Sequence, residues 1–135
     1  MDKKAEKLFQ EDNLVFIATL MKDGSPQLSP VWANFEDEHI LVNTAEGRLK
    51  HKNVLRDSRV AVSVVAKDNP LEMTTVRGKV VEMIPDYEYK HADRLTRLYM
   101  GRDRYPFKRE DEKRIVFKIK PERVFVLPEQ KMIDD

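Results

Sequence analysis

Leu14-Val-Phe-Ile-Ala-Thr-Leu-Met21, then Lys22-Asp23-Gly24-Ser25, then a second run over residues 26–35, is the stretch that decides the fold class. The first run is apolar and rich in strand formers. It stops at an Asp-Gly pair, which suits the positive φ angles of a type I′ hairpin turn, so the chain doubles back as antiparallel β-structure. The returning run carries Pro26 and Pro30. Neither has an N–H to give to a ladder, which puts this strand at a sheet edge or beside a bulge.

Working outward, residues 3–11 form an amphipathic helix with Ala5, Leu8 and Phe9 on one face. Glu36-Asp37-Glu38 is a turn before a strand over residues 39–43, and residues 48–56 read as a short helix. Val60, Val62 and Val64 then alternate with Ala61 and Ser63, as a half-buried strand requires. A turn at residues 67–70 leads into a long strand over residues 72–84, bent or bulged at Gly78. Pro85-Asp86 opens a further helix that ends at Gly101, and a charged loop over residues 102–112 follows. Two last strands are expected, one alternating through Ile115, Phe117 and Ile119, the other over residues 124–127 after a break at Pro121-Glu122. Most joints are too short for helical crossovers. The expected class is therefore mainly β (α+β), with six or seven antiparallel strands and two or three short helices. A small closed barrel would remove its edges. Only residues 1–2 and 128–135 read as loosely held.

The 135 residues suit one domain, residues 1–135 with a core over about 8–127. Twenty-five basic and 24 acidic side chains leave a net charge of +1, which excludes a strongly basic nucleic-acid binder and an acidic tail. No apolar run approaches the ~18 residues of a membrane span, and Met1-Asp2-Lys3-Lys4 does not open a signal peptide. Without cysteine there is no disulfide framework and no thiolate nucleophile. The expectation is a soluble, cytoplasmic domain that binds no membrane. His39, His51 and His91 lack metal-ligand spacing, the four glycines form no phosphate-cradle motif, and Ser29 and Ser63 lack a nucleophile-elbow setting. No metal is expected, and no catalytic residue is named.

The functional signal lies in residues 42–56. A strand ends in Asn43 and Thr44 and passes Gly47 into a helix with Arg48, Lys50, Lys52 and Arg56 and no acid. Helix-start amides, a threonine hydroxyl and flanking cations make a phosphate site. The same window also fits a solvated basic surface helix. Ser29-Pro30-Val31-Trp32 holds the only tryptophan on the proline-marked strand. Trp32 could wall a planar ring or pack in the core.

Taken in order, Ala18-Thr19-Leu20, Asp23-Gly24-Ser25-Pro26-Gln27, Ser29-Pro30-Val31-Trp32, Asn43-Thr44, Gly47-Arg48 with Lys50 and Asn53, residues 56–60 and Arg77-Gly78 resemble successive motifs of one family. It is the flavin and deazaflavin oxidoreductases of the pyridoxamine 5′-phosphate oxidase-like split-barrel superfamily. The resemblance covers about residues 8–127. It implies a homodimeric split barrel with two cofactor sites at the subunit interface. Arg48, Lys50 and Lys52 would hold the phosphate, Ser29, Pro30, Val31 and Trp32 would line the ring, and Asn43, Thr44 and Asn53 would complete the site. The cofactor implied is FMN or coenzyme F420. Cations at Arg56 and in residues 102–109, suited to an acidic tail, tilt the expectation toward the deazaflavin. True pyridoxamine-phosphate oxidases carry a longer C-terminal substrate segment rich in Arg and His, so that activity is not expected. The expected function is hydride transfer between the ring and a small molecule, with the ring supplying the chemistry. The residue 101–109 loop could cover the slot, and Tyr99 or Tyr105 could supply a pocket hydroxyl. Two alternatives are a non-catalytic carrier or sensor of the same cofactor, and a barrel that binds single-stranded nucleic acid.

Overall fold

The β1–β2 hairpin fixes the chain direction. In the computed structural model, which describes residues 1–128, β1 (Val15–Leu20) pairs antiparallel with β2 (Pro26–Val31), Ile17 opposite Ser29. The turn between them is not type I′. Only Gly24 has positive φ (+85°), Gly24 N–H donates to the Met21 carbonyl, and Met21 N–H to that of Ser25. This is the longer loop closed by a left-handed glycine, and Asp23 stays in ordinary space by accepting from Ser25 N–H (3.0 Å). The type I′ geometry occurs instead between β3 (Ala33–Glu36) and β4 (His39–Ala45), where Asp37 and Glu38 have φ of 51° and 63°. A non-glycine residue held there is strained. Glu38→Gly is expected to stabilise the protein by roughly 0.5–1 kcal/mol, seen as a higher urea midpoint at unchanged slope.

Residues 26–35, expected as one strand, are two. They are interrupted at Trp32, and the sheet order β2-β1-β5-β6-β7-β4-β3 puts the halves at opposite edges. Val31 and Ala33 flank a single residue, so the two sheet edges meet there and the sheet must curl on itself. The sheet is curled and split at that seam, which is the split barrel the resemblance implies and not the closed one suggested by strand edges alone. The edge placement inferred from Pro26 and Pro30 is what the pairing shows. Conversely, the two strands expected after residue 114 are one, β7 (Arg114–Val126). Pro121 does not end it, because a register shift leaves Glu122 unpaired and carries the proline through.

β5 (Arg59–Ala66) and β6 (Asn69–Pro85) form the central hairpin. Gly78 sits at the expected irregularity, where any Cβ would collide with the Lys120 backbone carbonyl of β7. α1 (Lys3–Gln10) is capped by Asp2, whose carboxylate accepts from Ala5 N–H at 2.9 Å. Met1 packs on the core, so residues 1–2 are held. The loose segment expected beyond Pro128 lies outside the described residues. Phe9 of α1 is fully buried and joins Ile17, Ile40, Val62, Val76 and Phe117 in one hydrophobic core. α2 (Leu49–Arg56) follows β4. α3 (Lys90–Met100) begins later than expected, since β6 runs through Pro85 and residues 86–89 make a turn, and Gly101 caps its end as anticipated. No helix among the described residues is long and apolar enough to cross a membrane.

Candidate functional site

A pocket of about 320 Å³ opens at the seam of the barrel. Three of its walls follow from the local chain path. The break at Trp32 turns Pro30, Val31 and Trp32 toward it, the end of β4 brings Asn43 and Thr44, and the start of α2 brings Arg48 and Lys50. These seven residues were expected on sequence grounds as one site, and they line one pocket. Ser29 does not line it: it lies opposite the buried Ile17, and its hydroxyl is buried without a partner. Lys52 is exposed on α2, outside the lining. Asn53 is buried beneath α2, where its side-chain amide donates to Thr19 Oγ1 at 3.0 Å and its carbonyl accepts from Arg56 at 2.8 Å. Arg56 also reaches the Leu20 carbonyl, so it ties α2 to β1.

The site's electrostatics come from α2, β7 and the loop before it. Arg114, the first residue of β7, lines the pocket and is buried. Its Nε donates to Asn43 Oδ1 at 2.8 Å and its guanidinium lies 5.1 Å from the centre of the Tyr105 ring. Arg48 donates to Glu112 Oε2 (3.2 Å), and Arg114 to Glu112 Oε1 (3.1 Å). Lys50 has no hydrogen bond or ion pair among the described residues. Burial, then the neighbouring Arg48 and Arg114 charges, hold its ammonium below the ordinary lysine pKa. Thr44 lines the same pocket with a buried Oγ1 that has no partner. A lysine crowded by two guanidinium groups and an idle buried hydroxyl are the complement of an anion.

The upper walls are apolar. Trp32 stacks on Tyr99 (5.2 Å between centres, 4° between planes). The Tyr99 hydroxyl is spent on backbone, donating to the Asn13 carbonyl at 2.8 Å and accepting from Ala33 N–H at 3.2 Å. It braces Trp32 and does not line the pocket. The residue 101–109 loop does reach the slot: Tyr105 and Phe107 line it, held where Asp93 accepts from Tyr105 N–H at 2.7 Å. Leu14 and Phe107 remain half exposed at the rim.

The family described as pyridoxamine 5′-phosphate oxidase matches residues 1–127. The chain belongs to that family. Among solved structures, this oxidase-family chain is similar to an F420 reductase, with 26% identity over 93% of this chain and 98% of the other and a TM-score of 0.82. General stress protein 26 from Bacillus anthracis shares the fold at 20% identity, TM-score 0.69, over 93% of this chain and 92% of that one. A conserved hypothetical protein from Mycobacterium tuberculosis does so at 21% identity, TM-score 0.69, over 99% and 93%.

Beneath the pocket of this family member lies a buried polar chain that sequence reading missed. Asp86 accepts from His91 N–H and Ala92 N–H (both 2.9 Å) and from Asn43 Nδ2 (3.0 Å). Asn43 Nδ2 also faces His91 Nδ1 at 2.9 Å, while His91 Nε2 faces Asn34 Oδ1 at 2.7 Å. That pattern requires neutral His91 with its proton on Nε2. Burial pushes its pKa down to about 4, against the partial pull of Asp86, with Arg94 and Arg114 adding to the depression. The unfolded chain therefore binds this proton first, and stability present above about pH 6.5 is lost as pH falls toward 4. The loss is about 3 kcal/mol. His91→Gln is expected to flatten the urea-midpoint profile across that interval. Arg114 was equally silent in sequence, since a lone Arg at a strand start carries no pattern, whereas Tyr105 belongs to the loop expected to cover the slot.

Proposed function

We propose that this chain binds a phosphorylated tricyclic redox ring, FMN or coenzyme F420, in the seam pocket and transfers hydride between it and a small molecule. The observation that carries the reading is the pairing of unpartnered Lys50 with the unpartnered buried Thr44 hydroxyl in one apolar-walled slot. When bound, the ring itself supplies the hydride chemistry. Lys50, Arg48, Arg114 and Thr44 Oγ1 would hold the phosphate. Trp32, made rigid by Tyr99, and Pro30 would wall the ring, while Leu14 and Phe107 would exclude water from it. The likeness to an F420 reductase supports the same class of chemistry.

The protein would act as a homodimer. Phe16, Leu28, Val65 and Phe125 project from the outer face of β1, β2, β5 and β7, and an apolar sheet face of this kind asks for a cover. Light scattering is expected to give twice the chain mass. For the cofactor, equilibrium dialysis against FMN and F420 followed by absorption spectra should find one retained at near one per chain. Retention of neither overturns the reading. Reduced, bound cofactor should then lose its hydride to a member of a panel of enones, quinones or nitro compounds; a cofactor that never does marks a carrier.

A further inference from the structure

Glu112 does not line the pocket but bonds two of the cations that do: its side chain is only 10% exposed, with one oxygen on Arg48 and the other on Arg114. We propose that Glu112 is an affinity-setting residue: an internal carboxylate that occupies Arg48 and Arg114 and competes with the ligand's phosphate for them, so that the coenzyme is held exchangeably. The proposal rests on the reading of the pocket as a phosphate-and-ring site.

Two cations, Arg48 and Arg114, bond this single carboxylate, and Lys50 lines the same pocket as those two without an ion pair of its own among the described residues. Arg114 keeps two other anchors, Asn43 Oδ1 and the Tyr105 ring, so it stays in place when Glu112 is neutralised. The Arg48 side chain has no other bond among the described residues and is 50% exposed, so it is free to turn to a ligand once released. A merely structural role for Glu112 would make its loss harmful to stability and binding alike. A competing role separates the two. Without the carboxylate the unliganded protein holds three crowded cations and is less stable, whereas an arriving anion meets a higher potential. Interaction energy scales with ligand charge, so a dianionic phosphate monoester gains more than a singly charged diester.

The test compares the full chain with Glu112→Gln and Glu112→Ala. FMN, riboflavin as the uncharged control, and orthophosphate are titrated at low salt, and the melting temperature of each unliganded protein is recorded. Both variants should bind FMN about tenfold tighter or more, a tenfold change being about 1.4 kcal/mol. Riboflavin affinity should not move, and the unliganded melting temperature should fall. Weaker FMN binding in the variants, or riboflavin gaining as much as FMN, overturns the proposal. Orthophosphate keeps the two claims apart. If the wild type binds no ring cofactor, the site reading fails, yet the phosphate-induced rise in melting temperature must still be larger in the variants for Glu112 to be a competitor. Should the variants not fold, the carboxylate carbon resonance of Glu112 in the wild type decides: it must shift on adding orthophosphate, and a stationary signal refutes displacement.

Discussion

Arg48→Ala combined with Lys50→Ala is expected to weaken FMN or F420 binding by about 3–6 kcal/mol, more than a hundredfold, with the fold intact. On the proposed reading each side chain would offer one charge-assisted contact to the phosphate, worth about 1.5–3 kcal/mol. The sign of the stability change makes the experiment specific. Lys50 is held below its usual pKa by burial and by like charges, so the folded state disfavours its ammonium and removing it stabilises the unliganded chain slightly. Affinity should collapse while the urea midpoint holds or rises. Lys50→Ala alone should cost more than Lys52→Ala, because only Lys50 lines the pocket. Equal losses from the two lysines would mean that a diffuse basic surface, not this slot, attracts the ligand.

The second large effect belongs to Asp86→Ala. The substitution strands three donors, His91 N–H, Ala92 N–H and the Asn43 amide, in a buried place. Each unsatisfied group costs about 1–3 kcal/mol, so a total destabilisation of about 3–5 kcal/mol is expected, measured by urea unfolding. Asp86→Asn keeps one acceptor oxygen and should recover part of the loss. Asn43 presents its amide to Asp86 and His91 and its oxygen to Arg114, so loosening Asp86 also loosens Arg114. Well below its unfolding midpoint the alanine variant should therefore still bind phosphate more weakly than the wild type. Unchanged affinity would show that Arg114 needs no such support.

How much of this was legible beforehand depended on how local the cause was. Alternation at Val60, Val62 and Val64, the α1 face of Ala5, Leu8 and Phe9, and the Gly78 irregularity are properties of neighbouring residues, and all three stand in the structure. The turn types were exchanged because Asp23-Gly24 has the preferred composition of a two-residue turn but the wrong loop length. Asp37-Glu38 has the wrong composition, but strand register forces its geometry. The strand count came out right although one strand was merged and another divided. Proline breaks a ladder only where its N–H is needed, and at Pro121 a bulge removes that need.

The candidate site divides in the same way. Pro30 to Trp32, Asn43 with Thr44, and Arg48 with Lys50 lie on short contiguous segments whose residue types suggested a phosphate site and a ring wall separately, and it was the family resemblance that joined them into one expected site. Ser29, Asn53 and Lys52 lie on those segments too, but strand pleat, helix face and burial turn them elsewhere, which only packing decides. Arg114, Glu112, Asp86 and His91 come from distant parts of the chain. They meet because β4 pairs with β7, and the turn after β6 sets Asp86 and the start of α3 against Asn43 and Asn34. Chemistry written along the chain could be read from the chain. Charge balance and the state of a buried histidine depend on distances through space, and those exist only once the sheet has curled.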